Sequence, residues 1–197
     1  MKKVKQRKWV LLCGLKFEFF LYGTSCNMFM NTYKKSITTN VSINDLNDKG
    51  HYRILKFIVQ NLSFDINDNN NKEKITLLHF ICKNQVIDLL KEMLKSETIN
   101  INLVDVEQKT PLHYAVIYGT NEEVVQSLIE KDGCIINAKD KFGNTALHYA
   151  CQLAKFKLIE VLCKYEEIHP NSIGINEQNE SGSTALHILA QLKQFEP

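Results

Sequence analysis

The stretch Thr110-Pro111-Leu112-His113-Tyr114-Ala115 decides how this chain is read, because it recurs. Thr76-Leu77-Leu78-His79-Phe80, Thr145-Ala146-Leu147-His148-Tyr149-Ala150 and Thr184-Ala185-Leu186-His187-Ile188-Leu189-Ala190 share its pattern, and successive threonines stand 34, 35 and 39 residues apart. Such a period marks an array in which each unit covers its apolar face with its neighbours, so there is no single closed core to search for a site. The threonine suits a helix N-cap, where its hydroxyl accepts a backbone N–H. Pro111 suits the first helical turn, where its missing donor costs nothing.

The pattern continues on both sides of the motif. Asn102, Asn137 and Asn176 lie eight residues before a threonine, Asp105 and Asp140 five before, and Gly143 and Gly182 two before. After the motif, Gly119 falls at a break between two helical segments. Val124, Val125, Leu128 and Ile129 then give an apolar stripe at helical spacing, as do Leu158, Ile159, Val161 and Leu162 in the next unit. Departures occur: Gln85, Ala154 and Lys193 replace the inter-helix glycine, and Lys74 and Gln108 replace the earlier one. Counting back 35 residues from Thr76 reaches Val41, where a partial unit begins, with Ile54, Leu55, Ile58, Val59 and Leu62 as its second helix.

This pattern resembles the ankyrin-repeat family. The resemblance implies an all-α solenoid of stacked helix pairs joined by short hairpin loops. Repeats are expected near 41–75, 76–109, 110–144 and 145–183, with a partial one at 184–197, inside a domain spanning 36–197. Helix pairs are expected at about 77–95, 111–131 and 146–165, and a single helix from about 185. The spacing of 39 places about five extra residues within Glu166 to Ile175, expected as a loop on one edge. Aligning Phe195 with Phe156 puts Pro197 opposite Leu158, so the last repeat is expected to stop where its second helix would begin. Leu186, Leu189, Ala190 and Leu192 would then lie uncovered.

Charge divides the chain. Residues 1–35 hold eight Lys or Arg against the single acid Glu18, leaving 16 basic and 21 acidic residues for 36–197 out of totals of 24 and 22. The body is mildly acidic, which argues against a nucleic-acid surface, since phosphate binding needs clustered cations. Residues 1–8 form a basic head and Trp9 to Tyr22 an apolar stretch, the order of a secretory signal, but Lys16 and Glu18 interrupt it. The segment 1–35 is therefore a leader with three open readings: a cleaved signal, a membrane anchor, or a disordered stretch ahead of a start at Met28 or Met30. Only the anchor would bring a membrane into play, and only the signal would export the chain. Otherwise the residues point to the cytoplasm of the producing or host cell.

No residue pattern points to catalysis. There is no Gly-rich phosphate loop, nucleophile elbow or metalloprotease helix. His79, His113, His148 and His187 occupy one position in different repeats and do not converge as metal ligands would. The resemblance implies that they hydrogen-bond across the repeat turns. Cys82 and Cys151 fall six residues after their threonines, Cys163 on a second-helix stripe and Cys134 in a turn, and no C-x-x-C pair exists. No cofactor, metal or disulfide is expected in residues 41–197.

The function implied is protein binding without catalysis, on the hairpin tips and the concave face of the first helices. The positions whose family counterparts vary are Glu107, Lys109, Ile117 and Tyr118, then Lys141, Phe142, Asn144, Gln152 and Leu153, then Glu180 and Ser183. Tyr118 and Phe142 stand out, since exposed aromatics contribute much contact area for little entropy loss. The partner is a protein of unknown identity, and neither nucleic acid nor cofactor is expected. Lys-rich, Asn-rich coding with such an array is also the style of host-directed proteins of intracellular bacteria and viruses. An alternative is the amino-terminal part of a larger enzyme or toxin.

Overall fold

A computed structural model describes residues 66–70 and 72–193, all within one structural unit, Val59–Pro197. The leader, the two cysteines it carries and the expected helices of the partial repeat at 41–75 lie outside the described residues. Seven helices and no strand occur among those described: α1 Leu77–Asn84, α2 Ile87–Leu94, α3 Pro111–Tyr118, α4 Glu122–Ile129, α5 Ala146–Gln152, α6 Phe156–Ile168 and α7 Ala185–Lys193. They form two rows. First helices pack in the order α1, α3, α5, α7, and second helices in the order α2, α4, α6, which is the stacked-pair arrangement the period implies.

Each first helix starts at its motif threonine for a local reason. The amides of His79, His113 and His187 donate to Thr76, Thr110 and Thr184 Oγ1 at 3.3, 3.5 and 3.4 Å. In return Nδ1 of the same histidine accepts the threonine amide, at 3.2 Å for Thr76, 3.1 Å for Thr110, 3.1 Å for Thr145 and 3.3 Å for Thr184. This is a capping box in which histidine does the work usually done by Glu or Gln. Histidine adds a second tie, because its far ring nitrogen reaches the next repeat. Nε2 of His79, His113 and His148 donates to the carbonyls of Lys109, Asn144 and Ser183 at 3.0, 3.1 and 3.1 Å.

Six consecutive residues of α1 and of α3 are buried, Leu77–Cys82 and Pro111–Val116, and α3 has the first helices α1 and α5 on its two sides. Second helices bury only stripes: Leu89, Leu90 and Met93 in α2, and Val124, Val125, Leu128 and Ile129 in α4. In α6 Leu158 and Leu162 are buried, whereas Ile159 and Val161 are only half-buried. Among the described residues α6 packs on one second helix, α4, while α4 has α2 and α6 on its two sides.

The extra residues of the third repeat do not form a loop. α2 and α4 are 8 residues long and α6 is 13. The intervals from the end of each second helix to the next threonine, Leu94 to Thr110, Ile129 to Thr145 and Ile168 to Thr184, are all 16 residues. The insertion is thus absorbed as helix. Its residues, Lys164-Tyr165-Glu166-Glu167-Ile168, contain no Gly or Pro, and the helix stops at His169, which precedes Pro170 and is driven out of the helical region by it. Glu166 then organises the exit, accepting the amides of Asn171 and Ile173 at 2.8 Å each and the Ser172 hydroxyl at 3.2 Å.

Candidate partner-binding surface

The tips of the connecting loops are built by one side chain per repeat. Asp105 Oδ1 accepts the amides of Glu107 and Lys109 at 2.8 and 2.9 Å, and Asp140 Oδ1 those of Phe142 and Asn144 at 2.9 Å each. The second carboxylate oxygen takes a tyrosine hydroxyl from the following helix, Tyr114 to Asp105 at 2.9 Å and Tyr149 to Asp140 at 2.5 Å. Burial, followed by that hydrogen bond to a carboxylate, raises the pKa of both tyrosines. In the last repeat Asn179 replaces the aspartate and accepts the amides of Ser181 and Ser183 at 3.0 Å each. Asn179 lies five residues before Thr184, so the register of Asp105 and Asp140 was the signal that identifies it.

Tips are tied to one another through the backbone. Glu73, Glu107 and Phe142 carbonyls accept the amides of Val106, Lys141 and Glu180 at 3.1, 2.9 and 3.0 Å. The residue after each acceptor has positive φ, at Lys74 (55°), Gln108 (60°) and Gly143 (74°). At Gly143 a Cβ would also stand 2.8 Å from the Glu180 amide nitrogen, so this position has both a conformational and a steric reason for glycine.

On this frame the expected binding residues fall into two groups. The tip group converges: Glu107 lies between Lys109 Nζ at 2.6 Å and Lys141 Nζ at 2.7 Å. Those two hydrogen-bonded ammonium groups, Lys109 first, hold its carboxyl down at about 2. Lys141 Nζ also sits 4.9 Å from the centre of the Phe142 ring, and Lys109 Nζ 5.7 Å from that of Tyr149. Phe142 is 48% exposed, and Glu180 is exposed beside it in the next repeat. Asn144 and Ser183 are half-buried and serve the stack through the carbonyls that His113 and His148 use, and the Asn144 side chain accepts Asn179 Nδ2 at 2.9 Å.

The second group lines the carboxyl ends of the first helices. Tyr118 is 52% exposed, its ring tilted against that of Tyr114 at 5.3 Å between centroids and covered by Lys83 Nζ at 4.9 Å. Leu153 is 44% exposed and Gln152 is exposed, while Ile117 is half-buried. Tyr118, Leu153 and Leu192 each lie eight residues after their threonine and are all exposed, giving a large side chain at the same register in three of the four repeats, where the first has Asn84. Val106, 54% exposed and equivalent in register to Lys141 and Glu180, joins the tip group without having been among the expected residues.

Two side chains with no signal in the motif stitch this edge together. Lys155 Nζ donates to the carbonyls of Val116, Ile117 and Gly119 at 2.6, 2.8 and 2.7 Å, satisfying the end of α3 from the next repeat. Gln85 meets the same junction from the preceding repeat, accepting the Asn121 amide at 3.0 Å and donating to the Cys82 carbonyl at 2.6 Å. Among the described residues no group of three His, Cys, Asp or Glu side chains is placed to hold a metal, and no helix is long and apolar enough to cross a membrane. Cys82 and Cys151 are buried, Cys134 and Cys163 half-buried, and all four are free thiols. Burial raises the Cys134 thiol to about 12 and the Cys151 thiol to about 11, far from the reactive thiolate range.

Comparison with known proteins gives the same reading: the model of ankyrin repeats in three copies matches residues 45–140 and 120–196. The chain belongs to the ankyrin-repeat family. A putative ankyrin repeat protein of Acanthamoeba polyphaga mimivirus is 41% identical over 66 residues, 34% of this chain and 16% of that protein. One from Rickettsia bellii is 32% identical over 76 residues, 39% of this chain and 41% of that protein. The NF-kappa-B inhibitor alpha of Gallus gallus is 38% identical over 61 residues, 31% of this chain and 19% of that protein. The chain thus spans less than half the length of these ankyrin relatives. Ankyrin arrays are in general modules of protein interaction, and the all-α stacked-pair fold found here is theirs.

Proposed function

We propose that this chain binds a protein partner, without catalysing a reaction, through the tips of its hairpins and the concave edge of its first helices. The observation that carries the reading is the exposure of large side chains at positions where the stack makes no demand for them: Tyr118, Leu153 and Phe142, the two aromatics each beneath a lysine ammonium. A solvated surface has no use for these aromatic and aliphatic groups, whereas an interface uses them as anchors. The Glu107, Lys109 and Lys141 cluster supplies polar contacts beside Phe142, with Glu180 next to it, and Ile117, Gln152, Asn144 and Ser183 complete the edge. The combined variant Tyr118→Ala, Lys141→Ala, Phe142→Ala tests this. It should lose capture of the partner held by the parent chain while keeping helix content and melting temperature. Undiminished capture by that variant would move the site elsewhere.

The relatives from mimivirus and Rickettsia bellii favour a finer reading, in which the partner belongs to a host cell and the chain works in the cytoplasm of its producer or host. A second reading is an array that forms part of a larger enzyme. Two Dictyostelium discoideum relatives, an ankyrin repeat-containing protein kinase and a probable serine/threonine-protein kinase, favour it, although this chain matches only 5% and 7% of their lengths. Mass spectrometry of the endogenous protein decides between them, since a mass well above 22.7 kDa supports the larger enzyme.

A further inference from the structure

The two rows of helices differ in charge. The first-helix segments 77–85, 111–119 and 146–154 hold one charged residue, Lys83, and no acid, whereas the second helices α2, α4 and α6 hold seven acids and three lysines. The first row is not uncharged merely by being buried. At its carboxyl edge Tyr118, Gln152, Leu153 and Ala154 are all exposed. Both helices involved lie inside the array, α3 between α1 and α5, and α5 between α3 and α7, so their exposure owes nothing to where the sequence stops. An exposed band with large apolar groups and almost no charge has the make-up of an interface core, from which charged groups are depleted.

Spacing and charge together say what fits this edge. Packed helices stand about 8–10 Å apart, so Tyr118 and Leu153, at one register in adjacent repeats, recur at about that interval. Lys83 lies in the repeat before, its ammonium over the Tyr118 ring. An extended strand returns a side chain to the same face after about 6.6 Å and again after about 13 Å, and matches neither way. An α-helix returns to nearly the same face after seven residues and about 10.5 Å. Its drift of about 20° per heptad is small over two steps. Charge then sets the register. Lys83 is the one charge of the row, it pairs with no carboxylate among the described residues, and no acid in the row repels a carboxylate brought to it.

We infer that the concave edge takes an amphipathic α-helix of the partner protein, with an acidic residue opposite Lys83 and apolar residues about seven and fourteen positions along it opposite Tyr118 and Leu153. This rests on the reading of that edge as the binding surface and adds the form of the partner. Fluorescence anisotropy of the full chain with a labelled synthetic helix tests it. The probe carries Glu, Leu and Leu at seven-residue intervals on a background of Ala and Gln, and a control of the same composition places the three on different faces. The probe should bind at least about tenfold more tightly than the control, and Tyr118→Ala and Leu153→Ala should each weaken it by about tenfold with helix content unchanged. Lys83→Glu should weaken it by about threefold, and a probe with Lys in place of Glu should restore the loss. Absence of binding, or equal binding of probe and control, overturns the inference. So does binding that survives both alanine substitutions, which would assign the contact to residues 1–35 or to the tips, and a charge exchange without effect overturns the register. If the parent chain captures its own partner, the Tyr118→Ala, Lys141→Ala, Phe142→Ala variant does not, and probe and control are alike, the surface stands and the helix falls.

Discussion

The side-chain amide of Gln85 fills the space where a Cβ on Gly119 would stand, its Cδ and Nε2 both 2.0 Å from that point. The two residues hold the same register position in successive repeats, nine residues after the threonine, yet they do different things. Gln85 has φ 57°, the left-handed conformation for which glycine is the usual choice, whereas Gly119 has φ −107° and ψ 169°, which any residue can adopt. Glycine at 119 is thus explained by close approach and not by backbone freedom.

This gives a double-mutant prediction. Gly119→Ala should push the Gln85 side chain aside and cost about 1–2 kcal/mol through its lost hydrogen bonds to Asn121 and Cys82. In a Gln85→Ala background the same change should cost close to nothing. Urea unfolding of the four proteins checks this, and additive losses would show that the contact does not couple the residues.

Acid should loosen the stack before it protonates the surface carboxylates. Burial lowers the pKa of His79, His113 and His148, that of His79 from 6.5 to about 4. Geometry agrees, since Nδ1 accepts the threonine amide and has no room for a second proton. The unfolded chain takes up protons near pH 6.5 while the folded chain does not. Stability is therefore full above that pH and declines as pH falls towards 4. For His79 the loss approaches about 3 kcal/mol at 1.36 kcal/mol per pH unit. Urea midpoints at pH 7 and pH 5 should differ accordingly, and His79→Gln should flatten the slope. A flat profile in the parent would count against buried neutral histidines.

The fold was legible because the motif carries its own reasons. The threonine caps, the histidine that closes the box and reaches the next repeat, and the aspartate that ties each tip all recur at fixed spacing, and the structure uses each as a local device. The insertion was misread as a loop because periodicity reports its length and not its conformation. Only the helix-forming run up to His169-Pro170 tells where the five residues go. Gln85 and Lys155 were not legible in these roles, since each acts on a neighbouring repeat through one long side chain, where Gly119 and Ala154 at the register of Gln85, and Val86 and Thr120 at that of Lys155, are shorter. For the proposed binding surface, sequence gives register and hence exposure at Tyr118 and Leu153. It does not give the pairing of Glu107 with two lysines, one of them from the next repeat.

Lys155 makes a second testable tie. Its ammonium is the only donor the described residues bring to all three of the Val116, Ile117 and Gly119 carbonyls, and burial lowers its pKa. Lys155→Met keeps the stem and removes the charge, leaving those carbonyls without that partner, and should destabilise by about 1.5–3 kcal/mol. Lys155→Arg should not rescue it fully, because a planar guanidinium cannot converge on three carbonyls as a rotating ammonium does. Thermal melts of the two variants decide the matter. Full stability in Lys155→Met would mean that water replaces the ammonium without loss.

The stack and the surface should separate experimentally at Leu147 and Tyr118. Leu147 is buried in α5, at the register held by the buried Leu78 and Leu112 in their own repeats. Leu147→Ala opens a cavity there and should cost about 2–5 kcal/mol. In a repeat array that loss weakens two nearest-neighbour interfaces at once and should lower partner capture only as unfolding rises. Tyr118→Ala removes a ring whose contacts are Tyr114 and the Lys83 ammonium, with half its surface in water, and should change stability by less than about 1 kcal/mol. Urea midpoints measured beside capture by the folded fraction should therefore fall with Leu147→Ala in the first and with Tyr118→Ala in the second. If Tyr118→Ala lowered the midpoint as far as Leu147→Ala does, the ring would be part of the stack's own packing, and the concave edge would lose its principal anchor.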